Sequence, residues 1–192
     1  MDPFFATLLS ILAALGLAAA CGFRVFVPLL VVSIASRAGL LSLSEGFAWI
    51  GSTPALACLA LATALEIAAY YVPVIDNFLD SIATPAAILA GVVVSMAVME
   101  GVDPWLRWTL GVLAGGTAAA VVQIPTVVAR GASTTTTGGL ANSAVSTGEA
   151  AAAGLFSTLA VLWPLAIPLV ALAVLYVTYR LFRRRRVPAT AR

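Results

Sequence analysis

An all-α polytopic bundle of about six membrane-spanning helices is the fold class that this sequence predicts. Three observations point there. First, 62% of the 192 residues are apolar and only 9% are charged, whereas a soluble domain is nearer 45–50% apolar and about a quarter charged. Second, the apolar residues fall into long runs, and crossing about 30 Å of hydrocarbon takes roughly 20 such residues in succession. Third, Arg183 to Arg186 follow directly on the last run, where the positive-inside bias places a cytoplasmic anchor.

Five runs carry the prediction. They extend over Pro3–Ile34, Pro54–Ile75, Ile82–Met99, Trp105–Ala129 and Ala150–Phe182. The first and last are too long for one ordinary span. Proline removes a backbone donor and clashes with the preceding turn. A break is therefore expected between Gly22 and Pro28, and another between Trp163 and Pro168. The first run then reads as a full span followed by a short broken or re-entrant piece, and the last as two short spans. The sum is six crossings, with five as the alternative. Residues 1–182 form the transmembrane domain in this reading, and 183–192 form a basic cytoplasmic tail.

Helix starts are marked by Thr53-Pro54, Thr84-Pro85 and Thr147-Gly148, each with threonine as a cap. Ser146 and Glu149 fit the spacing of a capping box. Gly111 and Gly115 are spaced for close helix approach in lipid. Residues 131–148 carry no charge and are rich in Thr, Ser and Gly. They read either as a solvated loop or as the lining of a wet cavity. Tyr70, Tyr71, Trp105, Trp108, Tyr176 and Tyr179 read as interfacial aromatic anchors. Glu100, Asp103 and Arg107 read as a polar loop at the interface.

A weak internal repeat runs through the chain. Ala18-Ala19-Ala20, Pro28, Gly39-Leu40 and Ser52-Thr53 are matched in order by Ala118-Ala119-Ala120, Pro125, Gly139-Leu140 and Ser146-Thr147. Duplication would give halves at 1–100 and 104–182, the second inverted relative to the first. Inverted repeats with broken helices are a common construction of secondary transporters. The breaks would lie at Gly22–Pro28 and Gln123–Pro125.

Ionisable residues inside apolar runs are the sharpest signal, because a charge near the bilayer centre costs at least about 2.5–3.5 kcal/mol on insertion scales. Arg24 and Glu66 are such residues, and one buried ion pair between them is expected. Asp76 and Asp80 are spaced i, i+4 and share a face if helical. With Glu66 they would line one stripe; the alternative is a solvated turn. The predicted substrate- or ion-binding set is Arg24, Glu66, Asp76, Asp80, Gln123, Thr135, Thr136, Ser146 and Glu149.

The chain has no histidine and no lysine. This excludes a Ser-His-Asp triad, an H-E-x-x-H zinc site and a lysine-bearing phosphate loop. Cys21 and Cys58 sit inside apolar runs and are expected to be free thiols. No catalytic residue, cofactor or metal is predicted, and the single basic cluster argues against nucleic acid. The expected partners are the lipid bilayer and a small solute or ion, with a homo-oligomer compatible with both. The expected location is a bacterial cytoplasmic (inner) membrane, with the C-terminus cytoplasmic.

The stretches Ala19-Ala-Cys-Gly-Phe-Arg-Val-Phe-Val-Pro28 and Ser44-Glu-Gly-Phe-Ala-Trp-Ile-Gly-Ser-Thr-Pro54 resemble a bacterial membrane family. It is the domain-of-unknown-function family numbered four-one-two-six. Glu66–Pro85 and Ser133–Glu149 fit the same resemblance, which covers nearly the whole chain. It implies an integral membrane protein and brings no catalytic residues. The functional expectation is a transporter or channel for a small solute or ion. A non-catalytic membrane scaffold or assembly protein is the alternative, and a lipid-modifying membrane enzyme a weaker one.

Overall fold

The computed structural model describes residues 2–138 and 141–185. Among these residues the chain is helical, with no strand. The order is α1 (Pro3–Cys21), α2 (Phe26–Arg37), a 3-10 turn (Ala48–Gly51), α3 (Thr53–Ala69) and α4 (Pro73–Val98). Then α5 (Pro104–Leu110) passes through a π turn (Gly111–Gly115) into α6 (Gly116–Thr137), followed by α7 (Asn142–Leu162) and α8 (Ala166–Arg185).

Four stretches are long and apolar enough to cross a membrane: Pro3–Cys21, Phe78–Val98, Pro104–Thr137 and Asn142–Leu162. Phe26–Arg37, Thr53–Ala69 and Ala166–Tyr176 are apolar but shorter. The expectation of about six spans is thus roughly met. At 1.5 Å per residue, the 12 residues of α2 reach only about 18 Å and cannot cross ~30 Å alone.

Helix α1 is the centre of the bundle and packs on α4, α6 and α7, while α4 packs on α6 and α2 lies against α3 and α7. The buried apolar residues are mostly small: Ala13, Ala14, Ala18, Ala87, Ala97 and Ala119 are examples. Many of the large ones face outward, among them Leu61, Phe78, Leu89, Val121, Leu155 and Leu172. Water would penalise that arrangement. Lipid accepts large apolar side chains outside, while small ones inside let helix backbones approach. Gly91, Gly111 and Gly115 serve this approach. A Cβ on Gly111 would meet the Met96 side chain, and one on Gly91 would lie 2.9 Å from the carbonyl oxygen of Gly115. This is a membrane protein.

Backbone groups freed at helix ends find partners inside the chain, as a bilayer requires. Asp2 caps α1 by accepting from the Phe4 N–H, and Ser52 caps α3 by accepting from Ala55. The Ser44 hydroxyl donates to the Met96 carbonyl, and its N–H donates to Ala97, closing the C-terminal end of α4. Ser33 donates to the Ile50 carbonyl and so ties α2 to the 3-10 turn.

The break expected between Gly22 and Pro28 is present, with α1 ending at Cys21 and α2 starting at Phe26. Pro28 lies in the first turn of α2, where a missing N–H breaks no helical bond. The break in the last run lies at Trp163–Leu165. Cys21 is a buried free thiol and Cys58 an exposed one.

Other expectations are corrected. The Thr53-Pro54 start is real, with Ser52 rather than the threonine as cap. Thr84-Pro85 lies inside α4, where Pro85 is an internal proline. Thr147-Gly148 lies inside α7, whose start precedes it by more than a turn. Pro125 is likewise internal to α6, so no discontinuity stands at Gln123–Pro125. The irregularity of that helix is the π turn at Gly111–Gly115. Most of 131–148 is helix rather than loop, being the end of α6 and the start of α7. A helix satisfies its own backbone without needing charge. Gly139-Leu140 of the repeat and residues 186–192 of the basic tail lie outside the described residues.

Candidate functional site

Four helices and one break each bring polar side chains to the same point inside the bundle. The spacing within each helix explains how. On α4, Asp76 and Asp80 are separated by four residues and share a face. On α7, Asn142, Ser146 and Glu149 recur at i, i+4 and i+7, a single stripe. Arg130 and Thr134 repeat the i, i+4 relation on α6, and Glu66 and Tyr70 repeat it at the end of α3. Arg24 enters from the break between α1 and α2. The break fits there because Gly22 has no side chain: a Cβ would lie 2.5 Å from the Ala119 carbonyl oxygen of α6.

Arg130 is the hub. Its Nε donates to Glu149 Oε1 at 3.0 Å and its Nη2 donates to Oε2 of the same carboxylate. Its Nη1 donates to Asp76 Oδ1 at 3.2 Å and to Asp80 Oδ1 at 3.0 Å. Asn142 Nδ2 donates to the other Asp76 oxygen at 2.9 Å and to Thr134 Oγ1 at 3.0 Å. Arg24 is 1% exposed. Its Nη2 donates to the Ser146 carbonyl at 2.9 Å and to the Ser146 hydroxyl. The same nitrogen lies 3.4 Å from Glu149 Oε2. The guanidinium carbons of Arg24 and Arg130 lie 3.8 Å and 4.0 Å from the centroid of the Tyr70 ring. The ring's negative face attracts both cations.

Glu66 does something else. Its Oε1 accepts from the Val25 N–H at 2.7 Å and its Oε2 from the Phe26 N–H at 3.0 Å. These donors open α2, which has no capping side chain of its own at Val25. A carboxylate on a helix N-terminus is favoured by both the free N–H groups and the helix dipole.

The cluster therefore holds Asp76, Asp80 and Glu149 against Arg24 and Arg130, with Glu66 at its edge on the α2 backbone. That is four of the chain's eight acidic residues and two of its ten arginines. Most of it is dry. Among the carboxylates paired with arginine the Asp80 side chain is the exception at 21% exposed, against 3% for Asp76 and 7% for Glu149. The network reaches the surface there. Among the described residues Arg24 Nε and Nη1 have no hydrogen-bond partner, although both are buried.

Of the predicted set, the structure gathers Arg24, Asp76, Asp80, Ser146 and Glu149 directly, with Glu66 at their edge. The expected Arg24–Glu66 ion pair is not what forms. Arg24 pairs with Glu149, and Glu66 holds backbone instead. The expected carboxylate stripe from Glu66 to Asp80 is interrupted, because α3 ends at Ala69 and α4 begins at Pro73. Asp76 is buried at 2% exposure, so the solvated-turn alternative fails as well. Ser146 and Glu149 are not a capping box; both are buried within α7 and face the arginines.

Thr135 and Thr136 stand apart from the cluster. They are exposed, and their hydroxyls donate to carbonyls of their own helix, Gly131, Ala132 and Ser133. Gln123 is buried on α6 but beside Gly22, not among the ions. Tyr70, expected as an interfacial anchor, is 8% exposed and sits under the guanidinium groups. Tyr71 is exposed and hydrogen-bonds Thr147 at 2.7 Å.

Sequence reasoning missed Arg130, Thr134 and Asn142. Arg130 falls at the seam between an apolar run and an uncharged stretch and so belonged to neither. Helical spacing from Asn142 through Ser146 to Glu149 was the available signal. Of the expected polar loop, Glu100 and Asp103 precede α5 while Arg107 lies within it; Asp103 caps that helix, and all three border a cleft of about 500 Å³.

The family described as Domain of unknown function (DUF4126) matches residues 11–184. The chain belongs to this family. The matched region contains every residue of the cluster, so the site lies wholly within the DUF4126 domain. The chain matches no curated protein and no solved structure.

Proposed function

We propose that this DUF4126 protein is a transporter of a small solute or ion, and that the Arg24–Arg130–carboxylate cluster is its binding and coupling centre. One observation carries the reading: three carboxylates are paired with two arginines in a buried site that opens at Asp80, with a fourth, Glu66, at its edge. Buried charge in a bilayer is expensive and is rarely kept without use. With every group ionised the cluster carries an excess of two negative charges. An excess of that sign in a low-dielectric site attracts protons or a cation. Broken helices at the binding centre, as between α1 and α2, are a familiar device of secondary transporters.

In this reading no covalent chemistry is performed, and the protein is not an enzyme. The membrane is a bacterial inner membrane. Arg180 and Arg183, exposed at the end of α8, and the arginines that follow hold the C-terminus in the cytoplasm.

The test is flux. The full-length protein is reconstituted into vesicles carrying an internal pH dye, and the external solution is jumped in sodium, chloride or formate. The wild type is expected to move protons or charge with one of these. Asp80→Asn and Glu149→Gln, if folded, are expected to lose that signal. Wild-type dye signals unchanged from those of empty vesicles for all probes overturn the proposal.

A scaffold role is favoured by one feature, the complete engagement of Arg130 by Glu149, Asp76 and Asp80. Such a pair can serve only to fix helix register. It predicts that any variant of these four residues that still folds keeps the protein's cellular role intact.

A further inference from the structure

The turn between α4 and α5, together with the segment that follows α2, builds the cleft of about 500 Å³. Ser44 ties that segment to the end of α4, with its hydroxyl on the Met96 carbonyl and its N–H on the Ala97 carbonyl. The tie brings the neighbouring Glu45 to the space that Glu100 borders. Gly101, at φ +71°, turns the chain, and Asp103 then caps α5. One helical turn further on, Arg107 borders the same cleft, and Leu43 and Val102 add apolar wall. Among the described residues, Arg107 pairs with none of the three carboxylates, and the side chains of Glu45 and Glu100 have no hydrogen-bond partner. Charges of both signs therefore line one cavity without closing on each other.

The depth of the cleft follows from the helices that end there. The apolar span Phe78–Val98 stops two residues before Glu100, and the span Pro104–Thr137 starts directly after Asp103. Trp105 and Trp108 are exposed on α5, as aromatic side chains are at the level of lipid headgroups. More than twenty residues of the α5–α6 rod separate Arg107 from Arg130, roughly 34 Å at 1.5 Å per residue. The cleft thus lies at the membrane face remote from the ion cluster and is a separate site.

We propose that this cleft holds the headgroup of a zwitterionic phospholipid bearing a primary amine, with Arg107 on the phosphate and Glu45 and Glu100 on the ammonium. A zwitterion matches separated charges of both signs and adds no net charge. Guanidinium with phosphate, and ammonium with carboxylate, make charge-assisted hydrogen bonds. A primary ammonium brings three N–H donors to the carboxylates. A quaternary ammonium brings none and is held by aromatic faces instead. Among the described residues no aromatic side chain lines the cleft. A phospholipid without the amine brings only negative charge to a cleft that already has three carboxylates. The source is the bilayer rather than water, because the two apolar spans that end at the cleft put hydrocarbon directly beside it.

The test is lipid retention. The full-length protein is delipidated in detergent and mixed with phosphatidylethanolamine, phosphatidylcholine and phosphatidylglycerol of identical acyl chains, and bound lipid is counted by native mass spectrometry. The wild type is expected to retain phosphatidylethanolamine about threefold or more over either competitor, the scale of one or two exposed charged contacts. The double variant Glu45→Gln, Glu100→Gln is expected to lower it to the level of phosphatidylcholine. Arg107→Gln is expected to lower both of these lipids together. None of these substitutions removes a contact within the chain, and the comparison of lipids on the wild type needs no variant. Equal retention of the three lipids by the wild type overturns the proposal. So does a preference for phosphatidylethanolamine that survives in the folded double variant. Glycerophosphoethanolamine, the same headgroup without acyl chains, is expected to compete weakly. Competition as tight as that of the lipid overturns the bilayer as the source.

Discussion

Arg130 and Glu149 meet in a two-point fork across the α6–α7 hairpin, with Nε on Oε1 at 3.0 Å and Nη2 on Oε2. Both residues are nearly dry, at 4% and 7% side-chain exposure. Breaking a buried pair from one side strands the other charge, which typically costs about 3–5 kcal/mol. Arg130→Ala and Glu149→Ala are each expected to lower the thermal unfolding midpoint in detergent well beyond any surface variant. Removing both should cost less than the two single losses added together. Arg130→Lys keeps the charge but not the planar fork, so it should recover only part of the loss.

Tyr70 offers its ring rather than its hydroxyl to the two arginines. Tyr70→Phe should stay within about 0.5 kcal/mol of the wild type, because an aromatic face remains. Tyr70→Ala should lose about 1–2 kcal/mol for the cation contacts, and more for the packing. Unfolding in denaturant at fixed detergent separates the two. Equal losses in both variants would place the interaction in the hydroxyl.

Two glycines make opposite predictions. At Gly22 a Cβ would sit 2.5 Å from the Ala119 carbonyl oxygen and 2.9 Å from the Gln123 nitrogen, both backbone atoms. Gly22→Ala must push α6 away and should destabilise by about 1–3 kcal/mol or more. At Gly154, inside α7, nothing lies within 4 Å of a new Cβ. Gly154→Ala should raise stability by about 0.5–1 kcal/mol through helix propensity. A melting comparison of the two variants checks both signs.

Ser44 closes the C-terminal end of α4 with its hydroxyl on Met96 and its N–H on Ala97. Ser44→Ala leaves the Met96 carbonyl without that donor and should cost about 1–3 kcal/mol. Hydrogen exchange is expected to speed up at the last turn of α4 while the centre of that helix is unaffected.

The fold was legible wherever composition decides it. The long apolar runs and the prolines located the bundle, the break at Gly22–Val25 and the break at Trp163–Leu165. Helix boundaries near polar residues were less legible. Asp76 and Glu149 were legible as site residues but not as buried helix residues, because a charge ordinarily ends a buried segment. Here each charge is neutralised by a partner far along the chain, 54 residues away for Asp76 and Arg130. No local pattern encodes such a partner. Arg24 and Glu66 were correctly singled out as costly, yet their partners could not be assigned. A guanidinium seeks whatever carboxylate the tertiary fold brings near, and a carboxylate is equally satisfied by two backbone N–H groups.

The π turn at Gly111–Gly115 holds one residue more than a regular turn would over the same rise. It sets the phase of everything downstream of it. Deleting one residue inside it converts it to a regular turn and keeps Arg130 aimed at Glu149. Deleting one residue between Gly116 and Arg130 swings that side chain about 100° around the rod, out of reach of its three acids. The chain thus tolerates a change of length at one address and nowhere else along that helix's approach to the ions.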